Sequence, residues 1–274
     1  MRILAVINQK GGCGKTTTAI NLSACMAELG YEVLLMDLDP QGHSSLGLGI
    51  PADQVQKGLY EVLTHEASLE EVIHPIRTHM NLAPANITLV AIEQTLAGTD
   101  QRENRLRSAL SQIKHSYDYI VLDCPPSLGL LTINALMASH EALVPLEAGI
   151  FSLHGMGRLL ETIDLVKTHG HKSLKVRLLV TLYDGRTNHA KAVLNHISET
   201  FGDLLFKTVI RQTVRLREAA REGLPINEYD RASKGYEDYL ALACEITSSE
   251  EQVALPKISD QDFLEALEQV MKRS

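Results

Sequence analysis

Gln9-Lys10-Gly11-Gly12-Cys13-Gly14-Lys15-Thr16-Thr17 follows directly on the apolar run Ile3 to Ile7. A strand, a glycine loop and a helix start in that order describe a cradle for phosphate. Glycines at 11, 12 and 14 can take φ > 0 and let successive N–H groups converge on an anion, and the helix that follows adds its free amides and positive dipole end. The expected binding set is therefore Gly11, Gly12, Cys13, Gly14, Lys15, Thr16 and Thr17. Lys15 places an ammonium on the β and γ phosphates, and the Thr16 hydroxyl completes the shell of a Mg²⁺ ion. The strict phosphate-loop pattern asks for glycine at position 9, where this chain has Gln9. It carries instead a second lysine, Lys10. One lysine serves one phosphate chain, so the extra charge at the loop's mouth is expected to point outward, toward the nucleotide of a neighbouring subunit.

Two further runs end on carboxylates. Asp37 and Asp39 follow Val33 to Met36, and Asp123 follows Tyr119 to Leu122 before Pro125 and Pro126 stop the strand. Carboxyl ends of buried parallel strands are where open α/β sheets bind ligands. Residues i and i+2 of a strand share a side, so one of Asp37 and Asp39 could hold the metal's water shell while the other orients or deprotonates the attacking water. A plainer reading has Asp37 capping the loop that Pro40 and Gly42 turn. A carboxylate at Asp123 is well placed as an outer partner of the Mg²⁺ shell.

The rest of the chain alternates strand-like and helix-like stretches, as a doubly wound sheet requires. Arg2–Asn8, Glu32–Asp37, Met80–Pro84, Tyr117–Asp123, Glu141–Leu146, Lys175–Thr181 and Leu205–Ile210 are read as strands. Thr16–Leu29, Arg102–Lys114, Ser127–Ala138, Gly155–Lys167, Ala190–Phe201 and Leu240–Ser248 are read as helices. The strand runs are continuously apolar, which fits burial on both faces. At 274 residues and 45% hydrophobic content the chain can bury one large core. The expected organisation is one domain over 1–248 and a tail over 249–274, divided at Ser248-Ser249-Glu250-Glu251. Cys13, Cys25, Cys124 and Cys244 show no paired spacing, which argues against a zinc site or disulfide framework and for reduced thiols. With no basic-then-apolar leader and no long apolar run, a cytoplasmic protein is expected.

Lys10-Gly11-Gly12-Cys13-Gly14-Lys15-Thr16-Thr17 resembles the deviant Walker A box of the ParA/MinD superfamily of ATPases. Leu35-Met36-Asp37-Leu38-Asp39-Pro40-Gln41-Gly42 is similar to that group's second box, and Ile120-Val121-Leu122-Asp123-Cys124-Pro125-Pro126-Ser127 to its Walker B strand. Val6 to Lys10, Asp39 to Gly42 and Tyr183-Asp184-Gly185-Arg186-Thr187 look most like the ParA/Soj branch, and the resemblance spans residues 1 to 246. It implies a single doubly wound, mostly parallel α/β sheet flanked by helices, a P-loop NTPase of the SIMIBI type, with ATP and Mg²⁺ as cofactors. It also implies a homodimer closed around two ATP molecules, with Lys10 crossing to the partner's phosphates, Lys15 on its own nucleotide, Asp39 as the hydrolytic residue and Asp37 its neighbour in the metal shell with Thr16 and Asp123. Further implications are nonspecific DNA binding by the ATP dimer, slow hydrolysis, an association with the nucleoid, and a ParB-like or cargo-borne adaptor that stimulates turnover.

Net charge runs against DNA binding, since −8 predicts long-range repulsion and leaves the work to a local basic patch. Residues 207 to 234 are the richest stretch, and Arg211, Arg215, Arg217, Arg221 and Lys234 are its expected contacts, diluted by Glu218, Glu222, Glu228 and Asp230. Here Ile210 to Arg221 departs from the family pattern Ile-Pro-Arg-Asn-Val-Arg-Leu-x-Glu-Ala-Pro-Ser: both prolines are gone and arginines are added. Glu147, Gly149 and His154 likewise stand where relatives often have Gln, Glu and Glu. The rival reading is a MinD-like membrane-associated positioning ATPase. Phe263, Leu264, Leu267, Val270 and Met271 do fall on one helical face. The opposite face is acidic, however, which suits packing on protein better than an anionic lipid surface.

Overall fold

The protein, described over residues 1–148, 156–168 and 173–248 of a computed structural model, is built on a seven-stranded sheet. The strands are β1 (Arg2–Val6), β2 (Val33–Asp37), β3 (His74–Arg77), β4 (Met80–Ala83), β5 (Tyr119–Asp123), β6 (Glu141–Glu147) and β7 (Lys175–Thr181), in the spatial order β3-β4-β2-β5-β1-β6-β7. All neighbours run parallel except β3, which pairs antiparallel with β4 at the edge. The principal helices are α1 (Lys15–Glu28), α2 (Arg105–Ser111), α3 (Leu130–Ala138), α4 (Met156–Thr168), α5 (Asn188–Phe201), α6 (Arg215–Arg221) and α7 (Lys234–Ser248). The tail over 249–274, with its amphipathic stretch, and Gly149 and His154 lie outside the described residues.

The central strands are apolar throughout because both faces are covered. Along β1, Ile3 and Ala5 enter one core and Leu4 and Val6 the other, and the same alternation sorts Leu34 and Met36 from Val33 and Leu35 in β2. The first core lies under α3 and α4, the second under α1 and α7. Side chains such as Leu4, Leu34 and Leu35 are fully buried, and each contributes about 1.5–3 kcal/mol. A hydroxyl contact ties α1 to α7, with Thr18 Oγ1 and Tyr239 Oη 3.1 Å apart. The chain leaves β1 in one direction to β2, β3 and β4, returns through β5, and crosses to β6 and β7. The strand order therefore reverses around β1, and its carboxyl end is the expected ligand crevice.

Two elements differ from the sequence reading. The run 205–210 is not a strand. Phe206 N and Ile210 N donate to Leu178 O and Val180 O of β7, but between them the N–H groups of Lys207 and Thr208 donate to the Glu245 carboxylate on α7, at 2.8 and 2.9 Å. A side chain thus takes the hydrogen bonds a ladder would need, and only isolated bridges remain at Leu205 and Arg211. Conversely, β3 was not anticipated, because His-Pro-Ile-Arg is half-exposed and lacks an apolar pattern. Helix boundaries shift as well: α7 begins at Lys234 rather than Leu240, α3 at Leu130 rather than Ser127, and Arg102–Asn104 is a 3₁₀ turn leading into α2. None of the described helices is long and apolar enough to cross a membrane.

Candidate functional site

The glycine loop connects β1 to α1 at the centre of the sheet. Of its three glycines, Gly12 (φ 75°) and Gly14 (φ 89°) are left-handed and Gly11 is not. A Cβ at Gly11 or Gly12 would meet nothing within 4 Å, so the loop's outer side is open to an anion, whereas one at Gly14 would touch Thr181. Thr181, at the end of β7, also donates its hydroxyl to Cys13 O at 2.8 Å and so holds the loop against the sheet. Lys15 is buried, and its ammonium donates to Lys10 O at 3.1 Å, folded back across the loop. The Cys13 thiol donates to the same carbonyl at 3.2 Å, and burial raises its pKa. All four cysteines are unpaired.

Below the loop the three strand-end carboxylates divide their tasks. Asp37 and Asp123 are register partners on adjacent strands, and both are fully buried. Burial pushes both carboxyls up, and in Asp37 the neighbouring Asp123 charge adds to the rise. Asp37 Oδ2 accepts from Ser45 N and Ser45 Oγ, each at 2.8 Å, and its Oδ1 accepts from Asp39 N at 3.2 Å. Its carboxylate thus holds the loop that carries Asp39. Asp39 is 8% exposed and accepts from Gln41 N at 3.0 Å. Asp123 Oδ2 accepts from Ser44 Oγ at 2.7 Å, while its Oδ1 is buried without a hydrogen-bond partner. The Thr16 hydroxyl and the Lys15 ammonium also act on Asp123. An orphaned carboxylate oxygen next to a threonine hydroxyl is hard oxygen chemistry of the kind Mg²⁺ takes, so the residues present fit that ion. Among the described residues no cluster of three His, Cys, Asp or Glu side chains forms a metal cage.

Lys10, expected to face outward, is ion-paired with Glu147 at the end of β6, and the two side chains are 36% and 42% exposed. Ser44, Ser45, Thr181, Asn8 and Glu147 were not singled out as site residues from the sequence. The two serines follow directly on Asp39-Pro40-Gln41-Gly42-His43, which is the one local signal that could have found them. Thr181 and Glu147 are brought in by the strand order alone.

The expected DNA-contact residues do not act as one patch. Arg211 is clamped by Asp238 (2.7 Å) and Glu237 (2.8 Å), which raise its pKa further. Arg215 pairs with Glu218 at 2.9 Å and Asp230 at 3.3 Å. Arg217, Arg221 and Lys234 are exposed and make no ion pair with the described residues. Arg217 and Arg221 line a cleft of about 350 Å³ that also includes Thr16, Thr17 and His43, so they adjoin the first turn of α1.

A glycine loop at the strand-order reversal of a doubly wound sheet, with acidic strand ends beneath it, defines a P-loop nucleotide-binding protein. The AAA_31 family model, an AAA domain, matches residues 1–176. The sporulation initiation inhibitor protein Soj of Bacillus subtilis is 44% identical over 250 residues, covering 90% of this chain and 99% of that protein. The chromosome partitioning protein ParA of Myxococcus xanthus is 44% identical over 247 residues, covering 89% and 87%. Among solved structures, cobyrinic acid a,c-diamide synthase from Mycobacterium smegmatis, with bound ATP analog and magnesium, superposes with a TM-score of 0.83 at 35% identity, over 94% of this chain and 99% of that one. The chain belongs to the ParA/Soj family of partitioning ATPases.

Proposed function

We propose that the protein is an ATP-dependent dimeric switch that hydrolyses ATP slowly, binds DNA without sequence preference in its ATP state, and segregates or positions a cargo with an adaptor. The observation that carries the reading is the division of labour between two lysines on one loop. Lys15 is buried and turned onto the loop carbonyl, ready for the phosphates of its own site, whereas Lys10 stands half-exposed at the surface.

Lys15 and the N–H groups of residues 11–17 bind the triphosphate, and the α1 dipole adds to their attraction. Thr16 and Asp123 Oδ1 would hold Mg²⁺, which would neutralise charge on the phosphates. Asp37 fixes the 39–45 loop, so that Asp39 is presented from a preorganised turn to orient the attacking water. Positioning and electrostatics dominate phosphoryl transfer, so little other chemistry is asked of the protein. Lys10 reaches the nucleotide of a second copy and couples dimer closure to ATP. Arg217, Arg221 and Lys234, the expected contacts that make no ion pair with the described residues, supply the DNA face, doubled in the dimer. Residues 1–248 form the ATPase domain and 249–274 a tail. Association with the nucleoid follows from DNA binding in the ATP state.

Turnover measured against protein concentration tests the dimer. Wild-type activity per molecule is expected to rise with concentration, with Lys10→Ala losing that rise and Asp39→Ala and Lys15→Ala losing turnover altogether. Specific activity independent of concentration would overturn the reading.

A further inference from the structure

The ion pair between Lys10 and Glu147 is made within one chain, although the dimeric reading sends Lys10 to a second copy. The fold prepares that pair. Glu147 ends β6, the parallel neighbour of β1. Asn8, just beyond β1, donates to Pro145 O at 2.7 Å and accepts from Lys10 N at 3.0 Å, which pins the start of the loop to β6 beside Glu147. On its other side the Lys10 carbonyl is held by the Cys13 thiol and the Lys15 ammonium. The residue-10 backbone is therefore fixed from both directions, while its side chain and that of Glu147 remain more than a third exposed.

We propose that Glu147 is a positioning residue that latches Lys10 within its own subunit and sets the threshold for ATP-driven dimerisation; this rests on the dimeric reading given above. One ammonium serves either the carboxylate in its own chain or a phosphate in the partner. Every dimer that forms must break two such pairs and leave two carboxylates without their cation. An exposed pair is weak, so the latch tunes the equilibrium and does not block it.

Glu147→Gln, nearly isosteric and uncharged, separates the two claims. Sedimentation in ATP and Mg²⁺ is measured in an Asp39→Ala background, where hydrolysis does not erode the dimer, for Asp39→Ala alone and combined with Glu147→Gln, Glu147→Ala or Lys10→Ala. In parallel, the rate at which an amine-specific acylating reagent modifies Lys10 is read by peptide mass spectrometry on nucleotide-free wild type, Glu147→Gln and Glu147→Ala. The latch predicts faster Lys10 acylation in both variants and a dimer tightened between about twofold and about thirtyfold, the range for two exposed pairs. Unchanged acylation, or faster acylation with an unchanged or weaker dimer, overturns the latch while the dimeric reading stands. Absence of an ATP-dependent dimer in Asp39→Ala overturns the dimeric reading, and the latch with it.

Discussion

Arginines at helical spacing look equivalent in sequence, but the structure divides them, and that division is measurable. If the ATP dimer binds DNA through cations its own carboxylates leave uncompensated, Arg217→Ala and Arg221→Ala each remove two phosphate contacts per dimer. With about 0.9 of slope in log K against log salt for each contact on duplex DNA, each variant should flatten the salt dependence by about 1.8, and the pair together by about 3.6. Arg211→Ala should leave the slope unchanged, because that guanidinium is already neutralised by Asp238 and Glu237. Its cost falls on stability. Asp238 is only 9% exposed and would lose its cation, though it keeps the Arg211 N–H at 2.8 Å. The penalty is about 1–3 kcal/mol, toward the lower end because Arg211 itself is a third exposed. The assay is fluorescence anisotropy with random-sequence duplex at a series of salt concentrations, paired with urea denaturation. A flattened slope in a folded Arg211→Ala, with Arg217→Ala and Arg221→Ala unchanged, would refute the reasoning.

Three more outcomes follow from the geometry. Asp37 and Asp123 are both raised above the ordinary 3.8 by burial, and Asp37 further by the Asp123 charge, so the pair stabilises the nucleotide-free fold in its protonated form. That stability is complete below about pH 4 and is lost as pH rises through about 8; urea midpoints should fall between about pH 5 and about pH 9, and no fall would contradict the assignment. Glu245→Ala leaves two N–H groups and Arg177 without their acceptor, costing about 2 kcal/mol in denaturation with ATP affinity intact. Gly12→Ala meets no neighbour but forces a left-handed alanine. It should cost about 1–2 kcal/mol of stability, while calorimetric ATP affinity drops about tenfold or more because its Cβ enters the anion's space.

What was legible in the sequence is what local chemistry dictates. The glycine loop, the apolar runs ending at Asp37 and Asp123, and the alternation of strands and helices all depend on neighbours in the chain, and all three stand in the fold. What escaped depends on distant partners. Residues 205–210 read as a strand until Glu245, on α7, takes two of their N–H groups. The spacing of Asp37 and Asp39 does not reveal that Ser45, eight residues beyond Asp37, donates two hydrogen bonds to the Asp37 carboxylate. Lys10 and Glu147 are 137 residues apart, and only the placement of β6 against β1 joins them. Arg211 looked as available as Arg217 because its clamp lies on α7, beyond the reach of helical spacing.

The measurement closest to the central claim is binding of random-sequence duplex DNA by wild type, Lys10→Ala and Asp39→Ala with ATP, ADP or no nucleotide. The account predicts binding with ATP alone, retained or strengthened in Asp39→Ala, abolished in Lys10→Ala, and steeply weakened by salt. DNA bound equally in all three nucleotide states, or by Lys10→Ala as well as by wild type, would contradict it.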